Sequence, residues 1–206
     1  MRARPLLIVL AAGRGSRFVS GGHKLEQELE GLSLLARTLR SAIASHLPVL
    51  VVTTQLLEGQ ARHFVAARDV VVLPEAGSSK GLGMGASIAA GVGARPDAPG
   101  WLLLPADMPL VQPLTIAAVA QALEHHPIAY AQYQGRRGHP VGFGAELYSE
   151  LVTLTGDQGA RRLVARYPAH AVDVDDPGVL VDVDTEQDLL ALQAAHSRAN
   201  TAAHPK

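Results

Sequence analysis

Four short apolar runs constrain the fold of this chain more than any other feature. They are "LLIVLA" at 6–11, "VLVVT" at 49–53, "VVVL" at 70–73 and "WLLL" at 101–104. A strand with one wet face alternates apolar and polar residues. A run with almost no polar member expects cover on both faces, as inside a parallel sheet. Helical patterns lie between and after the runs. "LSLLARTLRSAIAS" sets Leu35, Leu39, Ala42 and Ile43 on one side. "LLEGQARHFVAAR" and "GMGASIAAGVGA" follow, then "PLTIAAVAQALEHH", whose Pro113 suits the first turn of a helix. This βαβα order predicts an α/β fold, a three-layer α/β/α sandwich on a mostly parallel sheet, with right-handed crossovers.

The second half reads differently. "IAYAQYQGRRGHPVGF" predicts two strands joined by a Gly/Arg turn, and "GDQGARRLVARY" a helix. "HAVDVDD" and "GVLVDVDT" predict two more strands. "TEQDLLALQAAH" closes the chain as a helix, with Thr185 as N-cap and Asp188 three residues on, a variant of the capping box. The last ten residues, 197–206, are expected to form a flexible tail. With 206 residues and no linker or repeat, one domain is expected, over 1–196.

Bulk properties exclude several classes of function. Lys+Arg number 18 against 19 Asp+Glu, so there is no basic excess to hold nucleic acid. The absence of cysteine removes disulfides, thiolate metal sites and a cysteine nucleophile, and suits a cytoplasmic protein. No run approaches the roughly 20 apolar residues of a membrane span. "MRARPLLIVLAAG" looks like a signal peptide, but its apolar run is short and "RGSR" follows with no cleavage site, so it is read as a first buried strand. The pair His125-His126 ends a helix, and without further histidines at ligand spacing it is a poor zinc signal.

In parallel α/β sheets, ligands bind beyond the carboxyl ends of the strands. The first such end is "LAAGRGSRF", Leu10 to Phe18. Gly13 and Gly15 can bring backbone N–H groups to phosphate oxygens, and Arg14, Arg17 and Lys24 can neutralise them. The loop is neither a Walker A sequence nor G-x-G-x-x-G, because Phe18 stands at the third glycine. The second end is "WLLLPADMPLV", where Asp107 follows the apolar run as a candidate ligand for Mg²⁺. In "GSSKGLGMGASIAAG", small residues around a helix start, Gly83, Gly85 and Ser87 among them, leave room for a base and ribose. In "VLVDVDT", two-residue alternation puts Asp182 and Asp184 on one face of a strand, where a carboxylate would complete the cation site with Asp107.

Taken together and in order, "LAAGRGSRF…HKL", "GMGASIAAGV", "LLLPADMPLV", "GHPVGF", "TGDQGAR" and "DVDTEQDL" resemble the molybdenum cofactor cytidylyltransferases. These belong to the molybdopterin nucleotidyltransferases, whose fold is like that of glycosyltransferase A and the nucleotide-diphospho-sugar transferases. The resemblance runs from about Leu7 to Leu190. It implies a Mg²⁺-dependent enzyme that joins CMP from CTP to molybdopterin and releases pyrophosphate. It implies that Leu10, Ala11, Ala12, Gly13, Arg14 and Gly15 bind nucleotide along with Gly83, Gly85, Ser87 and Asp107, and that Arg17, Lys24 and Asp107 are catalytic. The metal would lie on Asp107 and Asp182, with Asp184 second to them. The nucleotide would occupy roughly residues 1–110 and the acceptor 111–196, with His139, Thr155, Asp157 and Arg161 facing the pterin. Ala12 in "LAAG" leans towards CTP, where guanylyltransferases carry "LAGG". Arg17 and Lys24 are spaced a residue or two wider than the family's usual pattern. Two alternatives stand beside this one: a guanylyltransferase or other transferase with a different phosphorylated acceptor, and a non-catalytic carrier that hands cofactor to a molybdenum hydroxylase. Such a hydroxylase is in either case a candidate transient partner; neither nucleic acid nor membrane is.

Overall fold

The computed structural model describes residues 4–13, 22–74 and 83–203, with side chains to residue 195. In chain order its elements are β1 (Leu6–Ala11), the short pair β2 (Glu28–Leu29) and β3 (Leu32–Ser33), α1 (Leu34–Ala44), β4 (Val49–Thr54), α2 (Gln55–Arg62), β5 (Val70–Leu73) and α3 (Met84–Gly93). Then come β6 (Gly100–Pro105), α4 (Pro113–Ala122), β7 (Ile128–Tyr133), β8 (Arg136–Gly144), α5 (Tyr148–Leu151), α6 (Arg161–Arg166), β9 (Ala169–Asp173) and α7 (Glu186–Ala203).

Among the described residues, seven strands form one sheet in the order β5-β4-β1-β6-β8-β7-β9. β8 runs antiparallel to both its neighbours, and every other pairing in this sheet is parallel. The reversal comes from the two-residue turn Gln134–Gly135, whose φ angles of 49° and 74° give the left-handed turn that matches strand twist. Pleating sends alternate residues of β1 to opposite faces. Leu7, Val9 and Ala11 pack in one core with Leu35, Leu39, Leu57 and Ile116. Leu6, Ile8 and Leu10 pack in the other with Ile88, Val92, Leu151 and Leu163. The expected α/β/α sandwich is therefore present, with α1, α2, α4 and α7 on one side and α3, α5 and α6 on the other.

The structure departs from the sequence reading at several places. Ile43 is 41% exposed, because α1 buries Leu34, Leu35, Thr38, Leu39 and Ala42, and Ile43 lies at the edge of that stripe. The expected helix from Gly156 begins only at Arg161, since Gly156 and Gly159 take φ of 70° and 55°, which no right-handed helix accepts. "GVLVDVDT" is not a strand. It opens as a 3-10 turn, Pro177–Leu180, and continues as irregular chain. The closing helix keeps its Thr185–Asp188 cap, with Asp188 N–H donating to Thr185 Oγ1 at 3.2 Å and Thr185 N–H to Asp188 Oδ2 at 2.7 Å. It runs on to Ala203, past the expected domain end at 196.

Candidate active site

The strand order changes direction beside β1: β4 and β5 lie to one side, β6 to the other. Crevices open at such switch points, at the carboxyl ends of the strands. Here the two ends are Ala11–Ala12–Gly13 and Pro105–Ala106–Asp107, tied together by Ala106 N–H donating to Leu10 O at 3.0 Å. Thr38 Oγ1, buried in α1, donates to Ala106 O at 2.8 Å and fixes the same corner from below.

Lys24 enters this crevice on a 3-10 turn, Lys24–Glu26. Its Nζ donates to Asp107 Oδ2 at 2.7 Å and to Asp184 Oδ1 at 2.9 Å, joining residues 83 and 160 positions apart in the chain. Burial works against the ammonium, but the charge of Asp107 and the hydrogen bonds to both carboxylates outweigh it and hold Lys24 above its ordinary pKa. The other oxygen of Asp107, Oδ1, is buried with no hydrogen-bond partner among the described residues. A buried carboxylate oxygen left unpaired is costly unless a cation or donor completes it.

His23, absent from the sequence reading, holds Lys24 in place. Its Nδ1 accepts from Leu25 N–H at 3.1 Å, so its Nε2 carries the proton and donates to Gly13 O at 2.9 Å. Glu26 Oε2 accepts from His23 N–H at 3.1 Å, completing a capping box. His23 thereby joins both ends of the 14–21 segment. Arg14, Gly15 and Arg17 lie within that segment, outside the described residues.

Asp182 and Asp184 reach the crevice by a route that the sequence reading missed. Asp176, 2% exposed, accepts from Gln112 N–H at 2.9 Å, Thr115 Oγ1 at 2.7 Å and Gly178 N–H at 3.0 Å. It caps the Pro177 turn and ties it to the start of α4. Gly178 is required there, since a Cβ would run into the backbone of Leu110. Val183 N–H then donates to Asp107 O at 2.9 Å, which sets Asp182 and Asp184 on either side of it. Both line the cavity, but the described contact runs from Asp184 through Lys24 to Asp107. Asp176→Ala is expected to cost about 2–4 kcal/mol of stability, because three buried donors lose one acceptor. Urea denaturation of the variant measures it.

Beyond Asp107 the crevice widens into a cavity of about 730 Å³. One wall is apolar, with Leu10, Met84, Ile88, Leu103, Val141 and Phe143. Arg136, Arg137, Arg161 and Asp157 lie on the cavity wall as well. His139, on β8, lines the same cavity. Burial lowers its pKa to about 4, with Arg161 and Arg137 pushing the same way and Asp107 opposing, so its ring is neutral at pH 7. The expected acceptor residues His139, Asp157 and Arg161 therefore share one cavity, whereas Thr155 lies off its wall. Arg136 and Arg137, which the sequence reading placed in the Gly/Arg turn and gave no role, open strand β8 just after it.

The glycines at the start of α3 have a packing role that the sequence reading did not give them. A Cβ on Gly83 would run into Gly156 and the Asp157 carboxylate, and one on Gly85 would lie 2.7 Å from Thr155 O. Gly85 N–H donates to Gly156 O at 2.8 Å. The space that these glycines open is thus filled by the Thr155–Asp157 loop of this same chain. Ser87 is 5% exposed within α3.

These residues fit a divalent cation. Asp107 offers an unpartnered oxygen, and an ammonium already lies between two carboxylates. Among the described residues no group of three or more His, Cys, Asp or Glu side chains stands close enough to hold a metal. That is the donor set expected for Mg²⁺ delivered with phosphates, which takes one or two carboxylates from the protein. No helix among the described residues is long and apolar enough to cross a membrane.

Comparison with known proteins agrees with this geometry. The solved structure of Rv0371c from Mycobacterium tuberculosis H37Rv is 28% identical, with a TM-score of 0.77 over 94% of this chain and 100% of that one. A second structure of that protein, a complex with manganese, is 26% identical, with a TM-score of 0.73 over 93% and 99%. The Rv0371c homologue of Mycobacterium sp. strain JC1 is 26% identical, with a TM-score of 0.81 over 97% and 100%. Molybdopterin-guanine dinucleotide biosynthesis protein A from Archaeoglobus fulgidus, 19% identical with a TM-score of 0.68 over 94% and 99%, shares the fold. No curated protein matches the sequence. The family model of the MobA-like NTP transferase domain matches residues 7–172. That match runs from β1 into β9 and takes in Lys24 and Asp107 alike; the chain belongs to the MobA-like NTP transferase family and is a nucleotidyltransferase.

Proposed function

We propose that this nucleotidyltransferase joins CMP from CTP to molybdopterin, with release of pyrophosphate. The observation that carries the reading is the continuity of the two halves of the site. The Lys24–Asp107–Asp184 cluster opens directly into a cavity with an apolar wall and three arginines. The cluster suits a triphosphate with its metal. The cavity suits a flat, partly apolar acceptor that carries an anionic group.

In this reading an oxygen of the acceptor phosphate attacks the α-phosphorus of CTP. The bond from that phosphorus to the bridging oxygen breaks, and pyrophosphate leaves with the electron pair. The nucleophile is already an anion, so no strong general base is needed. What opposes the reaction is repulsion between two anions, and catalysis consists of positioning and charge neutralisation. The Lys24 ammonium supplies charge at the triphosphate, and the cavity arginines supply it at the acceptor. His139, neutral, orients the acceptor by hydrogen bonding without adding charge. Mg²⁺, held by Asp107 with Asp182 or Asp184, would supply Lewis-acid stabilisation of the α-phosphate. The manganese complex of the Rv0371c protein supports a divalent requirement.

Two outcomes follow. CTP is expected to be preferred over GTP, on the Ala12 of "LAAG"; selection by hydrogen bonds to the base gives roughly 10²-fold or more in kcat/KM. Pyrophosphate release with each of the four nucleoside triphosphates, with and without molybdopterin, tests this. Equal rates with CTP and GTP, or release independent of the pterin, would refute the assignment. His139→Ala is expected to raise the KM for the pterin and leave CTP binding nearly unchanged. Calorimetric titration with CTP alone checks the second half, and a large loss of CTP affinity would move His139 to the nucleotide side.

A further inference from the structure

Lys24 Nζ lies 2.7 Å from Asp107 Oδ2 and 2.9 Å from Asp184 Oδ1, on a side chain only 12% exposed. An ammonium at those distances uses the lone pairs that face the space between the two carboxylates. A divalent cation bound to the same oxygens would need them at about 2.0–2.1 Å if Mg²⁺. A cation on Asp107 Oδ1, the oxygen with no hydrogen-bond partner among the described residues, would share that carboxylate with the ammonium on Oδ2, so the two cations repel and compete for the pair. The ammonium is tethered to the site by its own chain, and the His23 capping box fixes where that chain enters. A free metal ion therefore meets a carboxylate pair whose negative charge the ammonium has already halved.

We infer that Lys24 is an internal counter-ion that closes the Asp107–Asp184 pair to free divalent cations, so that metal enters only with a nucleotide whose phosphates draw the ammonium away. The inference rests on the nucleotide reading for its second half only. The first half concerns this chain and a metal ion alone. The device would keep the site from holding metal without substrate, and would make nucleotide binding the event that assembles the cation site. Lys24 thus has two positions, one on the carboxylates and one on the triphosphate.

The test uses Mn²⁺ alone, without nucleotide or pterin, followed by electron paramagnetic resonance and by thermal melting of the whole chain. Lys24→Gln is expected to bind Mn²⁺ at least about tenfold more tightly than the natural protein, whereas Lys24→Arg, which keeps the charge, stays as weak. Lys24→Gln removes the ammonium to which both carboxylates are bound. It should melt lower than the natural protein in chelator and regain stability with Mn²⁺, since a ligand that binds only the folded state stabilises it. A Lys24→Gln chain that is unfolded in chelator and folds with Mn²⁺ supports the inference equally. A Lys24→Gln chain that Mn²⁺ binds no more tightly than the natural protein, or that Mn²⁺ fails to stabilise, overturns it. Adding a non-hydrolysable CTP analogue should then raise Mn²⁺ binding in the natural protein more than in Lys24→Gln. An equal rise in both would overturn the second half. Failure of CMP transfer to molybdopterin would leave the nucleotide-free results standing, so the two readings fail separately.

Discussion

Replacing Asp107 with Asn is expected to lower kcat for nucleotidyl transfer by on the order of 10²–10⁴ at saturating Mg²⁺, while the fold survives. Asn keeps the shape of the side chain and removes its charge. The residue sits at the mouth of the sheet, where its backbone C=O accepts from Val183 N–H and is untouched by the substitution. What is lost is the negative charge and one of two oxygens, either the Oδ2 that accepts from Lys24 Nζ or the buried Oδ1 that has no hydrogen-bond partner among the described residues. Either way the loss falls on the charged transition state more than on the ground state. Circular dichroism and single-turnover kinetics together decide it: a folded variant with nearly natural rates would remove this site from the reaction. Asp184→Asn is expected to cost more than Asp182→Asn, because the described contact with Lys24 is made by Asp184. Strand alternation alone gives no reason for that ranking.

Replacing Lys24 with Gln is expected to reduce kcat/KM for CTP by about 10²–10³, the effect of removing one preorganised charge from the developing transition state. Lys24→Arg should recover only part of the loss, since a guanidinium keeps the charge on the carboxylates but presents it to a phosphate with a planar fork in place of a compact ammonium. Calorimetry with CTP separates binding from chemistry. An unchanged kcat/KM in Lys24→Gln would show that the ammonium stays on the carboxylates throughout and never reaches the nucleotide.

Much of the fold can be read from the apolar runs, because the sheet is doubly covered and its strands carry their burial in their composition. β1 and β5 coincide with their runs, β4 extends one residue past its run, and β6 extends one residue past its run at each end. Legibility ends where structure depends on distant partners. "VLVDV" alternates like a strand, but Asp176 and Val183 spend hydrogen bonds on the 107–115 region and Gly178 packs against Leu110, so the segment crosses the sheet mouth instead of extending the sheet. Gly83 and Gly85 look like room for a ligand, and only the folded chain reveals the Thr155–Asp157 loop lying against them. Of the site, Lys24 and Asp107 stand out as charges at strand ends. His23 does not, because histidine is an unusual helix cap and its role depends on accepting from Leu25 while donating to Gly13. Asp176 is one acid among several in "VDVDDPG", and nothing local marks it as the buried one.

The measurement that tests the central claim most directly follows the α-phosphate of CTP. Incubate the protein with CTP labelled at the α-phosphorus, molybdopterin and Mg²⁺, and separate the pterin from free nucleotide. The account predicts label in the pterin, one pyrophosphate released for each CMP transferred, and loss of both in Asp107→Asn. A pterin that stays unlabelled while the natural protein transfers nucleotide from GTP, or to another phosphorylated acceptor, would contradict it.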